Sequence, residues 1–520
     1  MINKHNKKYN MIISTALAIN IAALSTSTAM FSASAEEQYG KIHTVYAQNI
    51  NQEVLRKLAD GIDKYEFSID IEEYNVSRKE LNNITNALVL CYPELFYFTD
   101  IGVSFVGNRV LSIEVYYDYD IEEIIARRQL FNEAADSILA KVDSSMSDFE
   151  KALLLHDELA VHGTYALNRP NADDILIDRF GQCSAYTLAY SYLLSRVGVD
   201  SEIVVSNEMH HTWNKVCIDG TYYNVDVTWD DPMKNDDDHF WDIPGHVFHD
   251  YFLRSDYSFQ NDSSLEPHTG YESLFESPDT YDNYSYINST SKFCYENGKL
   301  YYIDNSSAGS SHLIEYDYRT DSSENLKDFS DCWMADERSY YSKNYMTLCS
   351  KNGILYYNGP SLVYSYDIAS GEETVFSNDD ALQDKCYGVV IKNGGIYAAL
   401  TDNPEIEATM LYLGETINNE PTSTEPPEPL YMYGDVNRDG RLSVRDATAL
   451  QFAIAELEPI DDKQRILGDV DGDEMISIKD VTQIQYRVAE IIKLFPVEES
   501  GTSRIVINHD NMNARSVQYD

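Results

Sequence analysis

Two twelve-residue stretches, beginning at Asp435 and at Asp469, are built on one plan, and that repeat constrains the chain more than any other feature. In the first, Asp435, Asn437 and Asp439 offer side-chain oxygens at alternate positions, Gly440 stands sixth and Asp446 twelfth. In the second, Asp469, Asp471, Asp473 and Asp480 repeat the pattern 34 residues on. Alternating oxygens, a main-chain carbonyl at position 7 (Arg441 and Met475 here) and a closing carboxylate are how an EF-hand loop wraps calcium, with glycine sixth for the sharp turn. Each loop runs into a helical pattern, marked by Ala449, Phe452 and Ala453, then by Ile484, Gln485 and Val488. One acidic loop is an ordinary solvated turn; two in register predict two Ca²⁺ sites in a small all-α module over residues 431–496. The second loop departs at one place, with Glu474 sixth and Gly472 two residues earlier. A non-glycine residue in a left-handed turn costs about 1–2 kcal/mol, so the second site is expected to be the weaker.

Proline, threonine and glutamate fill residues 417–430, a composition that stays extended and separates this module from everything before it. Residues 497–520 read as a polar, frayed tail. At the other end, Lys4, Lys7 and Lys8 precede an apolar run from Met11 to Leu24, and Ala33-Ser34-Ala35 reads as a cleavage site. Residues 1–35 therefore read as a signal peptide of a secreted protein, and no later segment is apolar enough to span a bilayer. A formal net charge of −47 disfavours nucleic acid and anionic membranes as partners. Export permits disulfides, but seven cysteines leave at least one thiol unpaired, and Cys183 is the choice for it. Cys294, Cys332, Cys349 and Cys386 cluster in a later region where pairing is open.

Cys183 begins a helical pattern through Tyr186, Ala189, Tyr190, Leu193, Leu194 and Val197 that stops at Gly198. A thiol in a first helical turn sits at the positive end of the helix dipole, which favours the nucleophilic thiolate. Downstream, Asp219-Gly220 is a preferred two-residue type I′ turn between alternating strands. Pairing Ile218 with Thr221 sets Trp213 opposite Asp226 and makes His211 and Asp226 diagonal neighbours on one face, with Cβ atoms under ~8 Å apart. His210 then points to the other face, although a loop of three or five residues would exchange the two histidines. A nucleophile, a base and an orienting carboxylate follow the logic of an activated thiol. His156, on a helix over Glu150–Val161, and His162 just after it read as helix-surface or packing residues, and the acidic stretch Asp230, Asp231, Asp236, Asp237 and Asp238 with His239 as a solvated loop.

Gly181-Gln182-Cys183, His211-Thr212-Trp213-Asn214 and Tyr223-Asn224-Val225-Asp226 resemble the transglutaminase-like superfamily of papain-type thiol enzymes in its secreted bacterial branch. The resemblance runs from about Asp148 to Asp231. It implies an α+β catalytic core with Cys183 as nucleophile, His211 as base and Asp226 as third member, needing no cofactor. It leaves the reaction open between peptidase, amidase and transamidase on a protein or peptide substrate. The calcium repeat resembles the dockerin module of cellulosome-type assemblies, and that resemblance implies calcium-dependent docking onto a cohesin of a scaffolding protein. The positions that choose the cohesin correspond to Val444, Arg445, Phe452, Ile478, Lys479 and Tyr486, and their near-equivalence between repeats would allow two reversed poses.

Two further regions complete a multidomain chain. Residues 36–146 read as a small α/β unit, with a helix ending before Pro93, strands at Leu95–Phe98 and Leu111–Tyr117, and a long helix from Ile121. The thiol domain is then expected over 147–275. Residues 276–416 are rich in tyrosine and short strands, and Asn-Gly pairs at Asn297, Asn352 and Asn393 mark hairpins of a partial propeller or a sandwich. The tyrosines there serve strand packing or bind sugar or peptide. A noncatalytic binding or adhesion subunit, with this β region as its working part, is the rival to an enzyme.

Overall fold

The computed structural model describes residues 40–431 apart from 118, 233–242, 308–309, 337–338, 342–343, 393, 403–407 and 417–429. Beyond these it describes 433–434, 436, 442, 444–455, 460, 462–472, 475–488, 495–496, 505–506 and 515–516. Residues 1–35, read as a signal peptide, the linker as far as Pro429 and Asp236–His239 lie outside the described residues. The chain forms two compact units, Met1–Asn418 and Asn419–Asp520.

In the first unit, helices Gln52–Asp63 and Leu81–Cys91 pack on an antiparallel sheet of Ser68–Asp70, Arg109–Tyr117 and Phe98–Val106, with Arg109–Tyr117 central. Leu58, Ile62, Ile84, Leu88 and Ile113 form the buried cluster between them. The strand expected from Leu95 starts at Phe98 instead. Pro93–Leu95 is a 3₁₀ turn, because proline fixes φ near the helical value and has no N–H to give a ladder. Two pieces of this N-terminal stretch join the thiol region. Ile42–His43 pairs in parallel with Ser201–Ser206, and the helix Ile121–Leu139 sends Phe131, Ala135 and Ile138 into the cluster that holds Leu153, Tyr190 and Leu193.

The thiol region sets the helices Asp148–His162 and Cys183–Arg196 against a four-stranded sheet, in the order Ile42–His43, Ser201–Ser206, His211–Ile218, Thr221–Val225. Ser147 and Glu150 close a capping box at the start of the first helix. At the tip of the last hairpin Ile218 pairs with Thr221, and Asp219 and Gly220 hold φ of 49° and 82°, both in the left-handed region a type I′ turn requires.

Besides a two-stranded pair, Met334–Asp336 with Ser339–Tyr340, three open antiparallel sheets follow among the described residues. Their strands run Cys294–Glu296 to Ser322–Phe329, Leu348–Lys351 to Glu372–Ser377, and Cys386–Lys392 to Thr409–Glu415. Asn297-Gly298 and Asn352-Gly353 turn their first hairpins with positive φ throughout. Tyr301, Tyr302, Tyr356, Tyr357 and Tyr387 are fully buried, so these tyrosines are core residues. All seven cysteines are free thiols.

The second unit contains helices Val444–Ile454, Asp462–Gly468 and Ile478–Val488 around Val436, Leu450, Val470, Ile484 and Phe495. It is not wholly helical. Leu430–Tyr431, Ile505–Val506 and Arg515–Ser516 pair as short strands, so the tail read as frayed contributes to a sheet where β-branched Ile505 and Val506 favour extended chain. No helix among the described residues is long and apolar enough to cross a membrane.

Candidate active site and calcium loops

Cys183 is the first residue of its helix and is half-buried. The chain reaches it through a close approach at Gly181, where an added Cβ would meet the Ala185 Cβ at 2.7 Å and the Ile175 Cβ at 3.0 Å. Thr187 Oγ1 lies 2.9 Å from the Cys183 carbonyl and 3.0 Å from that of Thr212, which fastens the helix to the histidine strand. Asn214 adds a second tie, donating from Nδ2 to the Thr187 carbonyl at 3.1 Å and Ser191 Oγ at 2.8 Å.

His211 stands between the thiol and a carboxylate. Its Nε2 lies 2.6 Å from Asp226 Oδ2, and its side chain is also hydrogen-bonded to Cys183, so Nδ1 is the nitrogen left for the sulfur. Burial opposes a charge on the imidazole, but the Asp226 carboxylate and the thiol more than offset it, and its pKa rises to about 10. Asp226 is itself fully buried; that burial works against its charge, yet the His211 and His268 imidazoles hold its carboxyl well below the usual range. Asp226 also caps the short helix Val227–Asp230, accepting at Oδ1 from the amides of Thr228 at 3.0 Å and Trp229 at 3.3 Å. Trp229 stacks on the His211 ring at 5.0 Å, with Trp213 at 6.0 Å. His210 is exposed in the preceding turn at φ 52°.

Sequence reasoning missed two groups around this site. His268, fully buried, brings Nε2 within 3.0 Å of the same Asp226 Oδ2. Nothing in its irregular surroundings after Pro267 signals that contact. The second group lies at the other end of the Val227–Asp230 helix. His156 meets Asp157 Oδ1 at 2.9 Å through Nδ1 and Asp230 Oδ2 at 3.1 Å through Nε2, and His249 Nε2 meets Asp157 Oδ1 at 3.0 Å. His156 is thus no helix-surface residue but one arm of a buried ionic network. Burial works against its charge, yet Asp157 and Asp230 raise its pKa to about 9. Asp230 is likewise buried, accepting from the Tyr251 amide at 3.0 Å, so it does not belong to a solvated loop. Asp231 is also buried and accepts from the Tyr186 hydroxyl. His162 is half-buried with Nε2 on the Leu176 carbonyl.

In the second calcium loop, Asp469, Asp471 and Asp480 bring one oxygen each to within 4.8 Å of one another. A cluster of hard carboxylate oxygens suits Ca²⁺. Asp480 is buried, accepting from the amides of Val470, Asp471 and Ser477. Met475 is exposed, and Gly472 takes φ 75°. Asp473 and Glu474 lie outside the described residues. So do Asp435, Asn437, Asp439 and Arg441 of the first loop, of which Asp446 is described and buried. Val444 and Arg445 open the first helix; Phe452, Ile478 and Tyr486 are exposed, at 41%, 62% and 43%, as is Lys479.

Residues 433–489 match the type I dockerin domain, so the chain carries that calcium-binding module at its C-terminal end. No curated protein matches the chain. Among solved structures, one is a complex of the third cohesin of ScaC with the ScaB dockerin from Acetivibrio cellulolyticus. It is 31% identical over 13% of this chain and 97% of that chain, with TM-score 0.13. A TGase is 12% identical over 35% of this chain and 56% of its own, with TM-score 0.20. A candidate cysteine protease from Cytophaga hutchinsonii is 13% identical over 26% and 63%, with TM-score 0.17. The chain spans less than two thirds of either of the last two, and at such TM-scores the thiol site rests on its own geometry.

Proposed function

We propose that the chain is an exported subunit of a scaffolded, cellulosome-type assembly, and that Cys183, His211 and Asp226 act on amide bonds through an acyl-enzyme. The observation that carries this reading is the placement of His211, with Asp226 Oδ2 2.6 Å from Nε2 and the Cys183 thiol interacting with the same ring. The Cys183 sulfur attacks the substrate carbonyl carbon, and the C–N bond breaks as His211 delivers its proton to the departing amine. The backbone N–H of Cys183 is the natural first donor to the oxyanion. Water, giving its proton to His211, then releases an acid; a lysine amine in the same place would give a cross-link. Hydrolysis is favoured slightly, because water is always at hand and no lysine-binding feature stands out in the sequence.

A protein or peptide substrate fits the surroundings of the thiol. Ala166 and Gln182 tie the segment around Leu167 to Gly181 and Arg169 by main-chain hydrogen bonds, and Leu167 and Phe180 lie exposed beside it. Secretion rests on residues 1–35. The dockerin module supports docking to a cohesin, with Val444, Arg445, Phe452, Ile478, Lys479 and Tyr486 as the surface that reads it and calcium on Asp435, Asn437, Asp439, Arg441 and Asp446, and on Asp469, Asp471, Asp473, Met475 and Asp480. The test is C183A in the full chain, incubated with peptide and protein mixtures from plant and bacterial cell walls. Wild type is expected to form a thioester on Cys183 and release product, and C183A to do neither. Equal turnover in both removes the mechanism, and no turnover or acylation in either favours the noncatalytic subunit.

A further inference from the structure

Asp226 serves two imidazoles, and the steps above use only one. His268 Nε2 lies 3.0 Å from the Asp226 Oδ2 that His211 meets at 2.6 Å, while His268 Nδ1 lies 3.2 Å from the carbonyl oxygen of Glu266. A carbonyl and a carboxylate only accept. Both contacts are hydrogen bonds at once only if both ring nitrogens carry hydrogen, that is, if His268 is an imidazolium. The ring is fully buried, walled by Phe259 at 4.2 Å, Trp229 at 4.4 Å and Trp213 at 4.7 Å, so a charge there needs a counter-charge within reach.

Asp226 is that counter-charge, and the count around it is informative. A Cys183 thiolate, a His211 imidazolium and an Asp226 carboxylate sum to one negative charge. His268 as a cation closes the group at zero. A further ionisable neighbour among the described residues is Tyr251, whose ring lies 5.6 Å from His268 and whose hydroxyl accepts from the Glu266 amide at 2.8 Å. Burial keeps that phenol protonated. Glu266 meets this cluster through its main-chain amide and carbonyl.

We propose that His268 is a positioning residue of the thiol site: a buried cation on Asp226 Oδ2 that takes up part of the carboxylate's charge and so loosens the hold of His211 on its proton. With Asp226 serving His211 alone, the imidazolium would be held too tightly to give its proton to a departing amine. With Asp226 shared, the same proton passes to the amine nitrogen as the C–N bond breaks, and His211 is left neutral to take one from water. His268 touches neither substrate nor sulfur and acts only through Asp226. The inference rests on Cys183, His211 and Asp226 being the reactive set.

Alkylation of Cys183 by iodoacetate against pH, followed on its peptide by mass spectrometry in the full chain, reads this without knowing the substrate. The anionic reagent reacts fast only while an imidazolium stands beside the thiolate, so the alkaline midpoint of the rate reports the proton on His211. H268Q keeps a donor to Asp226 and loses the charge, and its midpoint is expected to rise by roughly one pH unit. H268K keeps a cation and is expected to leave the midpoint near the wild-type value. A midpoint unmoved or lowered in H268Q, or moved equally in H268K, overturns the proposal. Should the variants fail to fold, nitrogen NMR of histidine-labelled wild type decides. Besides His211 and His156, a further doubly protonated ring is expected, one that shifts when Cys183 is alkylated, and the absence of such a ring overturns the proposal. A wild-type Cys183 that is unreactive at every pH instead overturns the reading of the active site.

Discussion

Replacing Asp157 by asparagine removes one charge from the network that pins the far end of the Val227–Asp230 helix, and the structure sets the size of the effect. Asp157 Oδ1 meets His156 Nδ1 at 2.9 Å and His249 Nε2 at 3.0 Å, and Oδ2 accepts from the Phe293 amide at 2.7 Å. Asparagine keeps one acceptor oxygen and must turn its NH₂ towards either the two imidazoles or the Phe293 amide, all of them donors. Stranding a buried charge in this way costs about 3–5 kcal/mol. The gap between an ordinary histidine at 6.5 and His156 at about 9 corresponds to about 3 kcal/mol, which Asp157 shares with Asp230. Because the folded state raises the affinity of His156 for its proton, this stabilisation is complete below about pH 6.5 and is lost as pH rises through about 9. On the acid side burial works against the charge of Asp157, yet His249 and His156 depress its pKa to about 2, so its share is lost only as pH falls from the ordinary carboxylate value through about 2. Hydrogen exchange by mass spectrometry reads the local effect. At pH 6 the D157N chain is expected to lose about a hundredfold in protection across Asp148–His162 and around Phe293. From pH 6.5 to 9, after correction for intrinsic rates, wild-type protection should fall more than that of D157N, in which Asp230 alone still faces His156. Equal protection at pH 6, or wild-type protection that rises towards pH 9, would refute the reasoning.

Other outcomes follow from the same geometry. H211A is expected to lower kcat/KM by about 10²–10⁴, the scale of a lost acid–base group, while H210A stays within about twofold; equal losses would mean the hairpin face was misassigned. The wild-type pH profile should hold its plateau up to about 10, where His211 loses its proton, and a fall centred near 7 would contradict the Asp226 pairing. Calorimetric titration of calcium into the full chain should resolve two unequal dockerin sites. Asp435→Ala should weaken cohesin binding more than Asp469→Ala, and docking that survives a chelator would overturn the account of that module. At calcium a hundredfold above Kd, the stabilisation expected is about 2.7 kcal/mol, visible as a rise in the dockerin's Tm.

What the sequence made legible was chemistry tied to a local rule. Asp219-Gly220 favours a two-residue type I′ turn, and with that turn the register of two strands followed, and with it the pairing of His211 with Asp226 across fifteen residues of chain. The hairpins at Asn297-Gly298 and Asn352-Gly353 and the dockerin repeat were legible for the same reason, while Asn393 lies outside the described residues. What stayed hidden has no local rule. Ile42–His43 is two residues long, and only a partner at Ser201 makes it a strand. His268 lies 42 residues from Asp226 in irregular chain, and His156 sits at a helical position where any packing residue would look the same. Both histidines owe their role to carboxylates brought up by tertiary folding, which periodicity does not register.

The most direct test of the central claim is competitive alkylation with iodoacetamide at pH 7 in the full chain, followed at all seven cysteines. Burial pushes the thiols of Cys91, Cys294 and Cys386 up to about 12, and those of Cys217 and Cys349 upward as well, so these should react slowly. Cys183, hydrogen-bonded to an imidazole that keeps its proton to about pH 10, is expected to be alkylated at least about tenfold faster than any other, and H211A should abolish that lead. Labelling of Cys183 no faster than that of Cys332, or unchanged in H211A, would contradict an activated thiol at this site.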